Sequence, residues 1–180
     1  MKKTIMMMMT VLLLSGCNWF QKEAVPVNAP ETLTAKALMY NTNKELIGEV
    51  KFQETEKGVE LAAVLNNLTP GVHAIHIHET GKCEPPDFTT AGAHFNPTNK
   101  KHGVENPLGP HVGDLPNITV DDNGEVELNF VTADFTLKKG EKTSLFDEDG
   151  SSLVIHEAAD DYKTDPAGNS GARIACGVIE

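Results

Sequence analysis

Positive charge is scarce in this sequence. The 180 residues include 15 lysines and arginines against 26 aspartates and glutamates, which gives a formal net charge of −11 at pH 7. Arg173 is the single arginine. A domain with this balance repels polyanions, so the composition excludes nucleic acid and anionic lipid headgroups as its partners.

The sequence also lacks an apolar run long enough to span a bilayer. Its first residues, "MKKTIMMMMTVLLLSGC", place two lysines before a short apolar run, which is typical of a secretory signal. The run ends in Leu14-Ser15-Gly16-Cys17, which resembles the lipobox of bacterial lipoproteins, where cleavage leaves a lipidated cysteine as the first residue. The alternative is an ordinary signal peptide followed by a chance cysteine.

We therefore predict a lipoprotein signal peptide over residues 1–16 and a lipidated N-terminus and tether over 17–32. The tether contains prolines and shows no period. Acyl chains on Cys17 would hold the protein at a membrane, outside the cytoplasm. Without Lys2 and Lys3, 13 basic residues face 26 acidic ones, and the remaining chain is long enough for one domain over 33–180.

Cysteine is scarce as well, with three in the chain. If Cys17 carries lipid, Cys83 and Cys176 remain as an even pair in an exported protein, where disulfides persist. The pair predicts an intrachain bridge, and two unrelated thiols are the alternative.

No amphipathic helix of useful length is visible, whereas short segments with strand character recur. Turn residues such as Asp122-Asn123-Gly124 separate them. The eight predicted strands cover residues 33–40, 45–55, 58–66, 71–78, 117–121, 125–132, 152–158 and 172–179. They predict an all-β, antiparallel sandwich or barrel. The segments 79–116 and 157–171 are too long for simple turns, and we expect them to be functional loops.

Histidine is concentrated in one of these strands, "GVHAIHIHET". Because residues two apart project from the same face of a strand, His76 and His78 point one way while Ile75 and Ile77 point the other. Neutral imidazole is the commonest metal ligand in proteins, so the pair could bind one ion. A solvent-facing polar edge is the alternative.

The first long loop adds His94, His102, His111 and Asp114, a set of three nitrogens and one carboxylate that suits Zn²⁺. His156, on another predicted strand, is available to join the strand pair. Soluble polar loop residues are the alternative.

Together with His76 and His78, these residues make six histidines and one aspartate, which are seven candidate ligands, whereas two four-ligand sites need eight. If two sites exist, one imidazole must be shared.

Five stretches of the chain, in this order, are similar to bacterial copper/zinc superoxide dismutases: "HAIHIHE", "CEPPDFTTAGAHFNP", "HGVENPLGPHVGDLPN", "LVIHEAADD" and "GNSGARIACGVI". The resemblance extends over residues 33–180. It implies an eight-stranded Greek-key β-barrel with two functional loops. It also implies copper and zinc as cofactors and the dismutation of superoxide to O₂ and H₂O₂.

The resemblance implies a role for individual residues. The implied copper ligands are His76, His78, His94 and His156. The implied zinc ligands are His94, His102, His111 and Asp114, so that His94 would bridge the metals and act in catalysis. Asp160 would steady ligands of both metals, Cys83 and Cys176 would form the disulfide, and Arg173 would orient superoxide. His73 would be structural, and Ala74 stands where the family usually has glycine.

An anionic domain must attract an anionic substrate locally, and Arg173 and Lys163 are the candidate cations. Lys163 could also be an ordinary surface lysine.

Two other functions stay open: a copper- or zinc-binding lipoprotein that buffers or delivers metal, and an adhesion domain that keeps only zinc. The resemblance also allows a homodimer.

Overall fold

The computed structural model describes residues 32–180. Nine strands and one short 3-10 turn, Thr89–Ala91, make up the regular structure of this part of the chain. The strands are β1 Thr34–Asn41, β2 Leu46–Thr55, β3 Gly58–Leu65, β4 Gly71–His73, β5 Ile75–His78, β6 Ile118–Val120, β7 Val126–Thr132, β8 Ser152–His156 and β9 Arg173–Val178.

Alternation of apolar and polar residues explains the outer strands. In β1, the buried Ala35, Ala37 and Met39 alternate with more exposed neighbours such as Lys36. A period of two places these apolar side chains on one face of the sheet. By contrast, β5 and β8 are buried at every position, because protein covers both of their faces.

Seven strands form one antiparallel sheet in the order β5-β8-β9-β1-β2-β3-β7, and β4 pairs with β6 in a second, two-stranded sheet. The sheet curls around one apolar core that includes Met39, Phe52, Leu61, Leu128 and Ile155. The prediction of an all-β fold with antiparallel strands is therefore confirmed.

The predicted count of eight strands is wrong by one. The segment predicted as a single strand over 71–78 is divided at Ala74, because its two halves pair with different partners: β4 with β6, and β5 with β8. The Ala74 N–H donates to the carbonyl of Ala158, and the Ala74 carbonyl accepts from the His156 N–H. A change of partner in mid-segment leaves no trace in the alternation of the sequence.

Both predicted loops are present, and they lie against each other and against the free edge of β5. The Ile77 N–H donates to Gly113, and the Phe95 N–H donates to the carbonyl of Ile77. The Glu105 N–H in the first loop donates to the carbonyl of Tyr162 in the second. The first loop therefore extends the sheet at β5, and the second loop covers the first.

A third long connection, between β7 and β8, was not predicted as a distinct loop. Glu54 at the end of β2 holds it: the Glu54 carboxylate accepts hydrogen bonds from the Thr136 hydroxyl at 2.9 Å and the Leu137 N–H at 2.7 Å. Lys138 adds an ion pair at 3.4 Å.

Within residues 32–180, no helix is long and apolar enough to cross a membrane. The predicted signal peptide, the lipidated Cys17 and nearly all of the tether lie outside the described residues, so these stay predictions.

Candidate metal centre

His76 and His78, which the sequence places on one face of a strand, lie on β5 at the edge of the large sheet. Ile75 and Ile77 belong to the apolar core, whereas His76 and His78 are buried on the opposite face. The first loop covers that face, since short bridges join His78 to His94 and His76 to Asp114. The same-face prediction is therefore met, but the face is enclosed by protein and is not a polar edge.

Four imidazoles converge at this place: His76, His78 and His156 from strands, with His94 from the first loop. We call the three strand residues the strand-held set. One nitrogen of each of the four rings lies within 4.8 Å of the others, and His78 Nε2 is 3.4 Å from His156 Nε2. His76 Nδ1 and His94 Nε2 are buried and have no hydrogen-bond partner. Because buried polar atoms are nearly always paired, these two nitrogens indicate a ligand position.

Backbone groups orient the rings of the strand-held set. His78 Nδ1 lies 3.0 Å from the carbonyl oxygen of Gly92, and His156 Nδ1 lies 3.4 Å from that of Gly171. These contacts leave the Nε2 atoms of both rings facing the shared centre. Fixing one ring nitrogen in this way is how proteins set which nitrogen binds a metal.

The second group consists of His102, His111 and Asp114, all in the first loop, again with His94. We call these three the loop-held set. Asp114 Oδ1 lies 2.9 Å from His94 Nδ1, 3.0 Å from His102 Nδ1 and 3.3 Å from His111 Nδ1. Asp114 Oδ2 accepts from the backbone N–H of Gly103 and of His111, which fixes the carboxylate.

His94 contributes to both groups with different atoms. Its Nδ1 faces the loop-held set, and its Nε2 faces the strand-held set. The ligand count from the sequence requires one shared imidazole if two four-ligand sites exist, and His94 is the residue that belongs to both groups.

Asp160, in the second loop, connects the two sets. Its Oδ2 lies 3.0 Å from His76 Nε2 and its Oδ1 lies 2.9 Å from His102 Nε2, with all three side chains fully buried. Gly168 packs so closely that a Cβ at this position would overlap both Asp160 Oδ1 and His102 Nε2. Gly168 was not predicted as a site residue, because a glycine in a loop carries no signal of what it packs against.

Four of the imidazoles differ in their pKa values. Burial is the largest cause that lowers the pKa of His78 to about 2, of His156 to about 3 and of His94 to about 4. Burial also opposes protonation of His102, but hydrogen bonds to Asp114 and Asp160 outweigh it and raise the pKa of His102 to about 9. Hydrogen bonds from the imidazoles outweigh burial and hold the pKa values of both carboxyls well below their usual range.

Arg173 begins β9 and pairs with His156 across the sheet. Its guanidinium donates to the carbonyls of Phe88 and Gly92, each at 2.6 Å. The same Gly92 carbonyl faces His78 Nδ1, so one loop residue contacts both the arginine and the strand-held set. Burial lowers the pKa of Arg173 from its ordinary value, and the side chain stays partly exposed.

The predicted disulfide between Cys83 and Cys176 is present. Phe88, Ala91 and Val154 pack around it as a small apolar cluster. The disulfide thus links the first loop to β9, close to the loop carbonyls that accept hydrogen bonds from Arg173. Phe88 was not predicted as a site residue, because a single aromatic residue in a loop is more often only part of the core.

His73 and Lys163, two further residues considered in the sequence, lie outside both ligand sets. His73 bonds to backbone carbonyls only, those of His156 and Thr69, each at 2.8 Å, as expected for a structural histidine. Lys163 is exposed and forms an ion pair with Glu105 at 2.5 Å. Because Glu105 compensates its charge, Lys163 is a weaker candidate than Arg173 for attracting an anion.

Comparison with known proteins identifies the family. Residues 46–179 match the copper/zinc superoxide dismutase family. The chain belongs to this family. Superoxide dismutase [Cu-Zn] 2 of Aquifex aeolicus is 53% identical over 150 residues, which are 83% of this chain and 88% of the relative.

Solved structures of the family agree with the fold. A SOD-like protein from Bacillus subtilis is 45% identical with a TM-score of 0.78, over 81% of this chain and 97% of that one. The Cu/Zn superoxide dismutase from Brucella abortus is 30% identical with a TM-score of 0.67, over 82% of this chain and all of that one.

The family's cofactors are copper and zinc, and the residues present fit both. Four imidazole nitrogens, two of them buried without a partner, form a set that suits copper. Three imidazole nitrogens and a carboxylate oxygen form a set that suits four-coordinate zinc.

Proposed function

We propose that this protein is an enzyme that dismutates superoxide to O₂ and H₂O₂ at a copper–zinc centre. The observation that carries the proposal is the convergence of four imidazoles beside Arg173, with His76 Nδ1 and His94 Nε2 buried and unpartnered. The geometry of the site supports the proposal: the residues that the resemblance implies as ligands lie in two groups that share His94 and could each hold a metal ion.

The strand-held set and His94 would hold copper through His76 Nδ1 and the Nε2 atoms of His78, His94 and His156. The loop-held set would hold zinc through Asp114 Oδ1 and the Nδ1 atoms of His94, His102 and His111. His94 is then the shared ligand. Copper, when bound, supplies the alternating one-electron transfer, for which zinc has no redox chemistry.

His94 is suited to hold a proton for the product. Its Nε2 faces the site, while its Nδ1 is fixed on the loop-held side by Asp114 at 2.9 Å. A proton that Nε2 takes up from solvent while it is not bound to metal would therefore point into the site, from where it can pass to the product peroxide. Burial lowers the pKa of His94 in the metal-free protein, and a ring with a lowered pKa transfers its proton more readily.

Arg173 is suited to bind and orient the anion. Two carbonyls fix the guanidinium, and the remaining N–H groups form a donor set that matches a small anion. Its charge also contributes to lowering the pKa of His78 and of His156, so it acts at the strand-held set. A local cation of this kind can attract superoxide to a domain whose net charge is strongly negative.

We further propose an extracytoplasmic location with attachment to the membrane through lipid on Cys17. The Cys83–Cys176 bridge supports the location, because disulfides persist in oxidising compartments. The anchor rests on the resemblance of residues 14–17 to a lipobox. Cys17→Ser should release the protein from the membrane fraction without changing its activity after metal loading, and continued acyl labelling of this variant would contradict the anchor.

The deciding experiment combines metal analysis with an activity assay. After loading with copper and zinc, we expect one of each metal per chain and rapid consumption of superoxide, with no activity in protein that holds zinc alone. One metal in total would contradict the two-site assignment. Two metals without superoxide consumption would instead favour a protein that buffers or delivers metal.

A further inference from the structure

Asp160 joins the two ligand sets, yet it lies in a loop, so something must fix its position. We propose that Asn117 and Tyr162 are positioning residues that clamp Asp160 and through it His102, so that the affinity for zinc depends on two side chains outside both ligand sets. This inference rests on the proposed function only in assuming that the loop-held set binds zinc.

Asn117 forms two hydrogen bonds to the backbone of Asp160, one as donor and one as acceptor. Its Nδ2 donates to the Asp160 carbonyl at 2.9 Å, and its Oδ1 accepts from the Asp160 N–H at 2.8 Å. This paired arrangement resembles the exchange of bonds between neighbouring strands, with a side chain in the place of one backbone. Because both bonds are made to one residue, they fix the direction in which the Asp160 side chain leaves the chain.

Tyr162 completes the clamp on the other side. Its N–H donates to Asp160 Oδ1 at 2.7 Å, the oxygen that also faces His102, and its hydroxyl accepts from the Asn117 N–H at 2.8 Å. Tyr162 has a φ of 63°, a left-handed conformation that residues with a side chain seldom adopt. Such a conformation persists when the surroundings enforce it, and three residues in a closed ring of hydrogen bonds provide that enforcement.

The two ligand sets should depend on this clamp to different degrees. His76 is part of β5, whose ladder with β8 fixes the backbone independently of Asp160. His102 lies in a loop, where Asp165 accepts from its backbone N–H at 2.8 Å and Asp160 accepts at its Nε2. Loosening Asp160 should therefore disorient His102 more than His76.

The test measures zinc affinity in competition with a chromophoric chelator. Residues that support metal ligands indirectly typically contribute about 10- to 100-fold to metal affinity, so we expect Asn117→Ala to weaken zinc binding about 10-fold and Tyr162→Phe about threefold. Copper affinity should change less than zinc affinity in both. Exposed residues of the same types, in Asn129→Ala and Tyr40→Phe, provide matched controls that should bind zinc as the wild type does.

Two additional readouts separate positioning from a general loss of stability. Visible bands of Co²⁺ bound in place of zinc should shift in Asn117→Ala, since they report the ligand geometry. In addition, Asn117→Ala should weaken zinc binding less than about twofold further when Asp160 is already alanine, because coupled residues are not additive.

Full additivity in that double variant, or zinc affinity unchanged in both single variants, would overturn the inference. If Asn117→Ala does not fold, Tyr162→Phe decides, since it removes a single oxygen atom. A wild-type protein that binds no zinc would overturn the proposed function itself, which is a different outcome.

Discussion

The strand-held and loop-held sets share His94 and lie side by side, but the protein holds them by different means. His76, His78 and His156 stand on β5 and β8, two neighbouring strands of the large sheet. His102, His111 and Asp114 stand on a loop, where Asp114 itself accepts from the backbone and the neighbouring rings. In one set the backbone ladder sets the geometry, and in the other a buried carboxylate does.

This difference extends to charge. Burial keeps His78 and His156 neutral, whereas hydrogen bonds to Asp114 and Asp160 favour the protonated form of His102 in the metal-free protein. A set positioned by strands therefore exists before the metal arrives. In a set positioned by carboxylates, a bound cation competes with a proton for the same imidazole nitrogens, so binding is coupled to proton release.

The largest expected effect comes from removing one ligand of each set. His156→Ala should abolish copper retention and lower activity by more than about 100-fold, the upper range for loss of a mere supporting residue. His111→Ala should release zinc while copper stays bound and part of the activity survives. Metal analysis and a superoxide assay check both. Equal loss of both metals in both variants would mean that the two sets are not separable.

Arg173 tests the strand-held side without touching a ligand. Arg173→Glu should lower activity about 10- to 100-fold and Arg173→Lys less, because lysine keeps the attraction but loses the forked donor set. Both variants should retain copper. Wild-type activity should also fall with rising salt, since screening weakens the attraction. Near wild-type turnover in Arg173→Glu with both metals bound would remove this residue from substrate guidance.

Protonation distinguishes the sets in a calorimeter. Because the pKa of His102 is about 9 and those of His78 and His156 are between 2 and 3, zinc binding at pH 7 should release about one proton and copper binding fewer. Titrations in two buffers with different ionisation enthalpies measure this number. Equal proton release by the two metals would contradict the comparison.

The same shift has a consequence for the metal-free protein. The pKa of His102 is raised above its ordinary value of 6.5, so its proton stabilises the fold fully below about pH 6.5 and this contribution is lost as the pH rises through about 9. Metal-free protein should therefore have a lower free energy of unfolding at pH 10 than at pH 7 in a denaturant titration. Zinc-loaded protein should show a smaller decrease between the two pH values.

The smallest effect is expected far from both sets. Glu54→Ala should lower the free energy of unfolding by about 1–3 kcal/mol, because the Leu137 N–H loses its acceptor, and it should leave metal content unchanged. The hydrogen bonds of Leu137 and Thr136 outweigh burial and lower the pKa of Glu54, so its contribution is present above about pH 4.5 and is lost as the pH falls through the lowered pKa. Loss of metal in this variant would show that the β7–β8 loop affects the centre.

The sequence predicted the strands more accurately than their partners. The segments predicted as strands over 33–40 and 45–55 agree with β1 and β2 to within a residue, because strand character and turn residues are visible in the local sequence. The change of sheet at Ala74 was missed, since it depends on the bond between Ala74 and Ala158, which are far apart in the chain. Likewise, the alternation placed His76 and His78 on one face but could not show that a loop encloses it.

The sequence by itself determined which reactive side chains the protein carries: the six histidines and one aspartate that are candidate ligands, the cysteine pair and the single arginine. Each follows from residue identity and spacing, which the chain displays directly. Only the tertiary structure decided which nitrogen of His94 faces which set, that Glu105 compensates Lys163, and that Asn117 and Tyr162 hold Asp160. These depend on contacts between segments brought together by folding, and no local pattern records them.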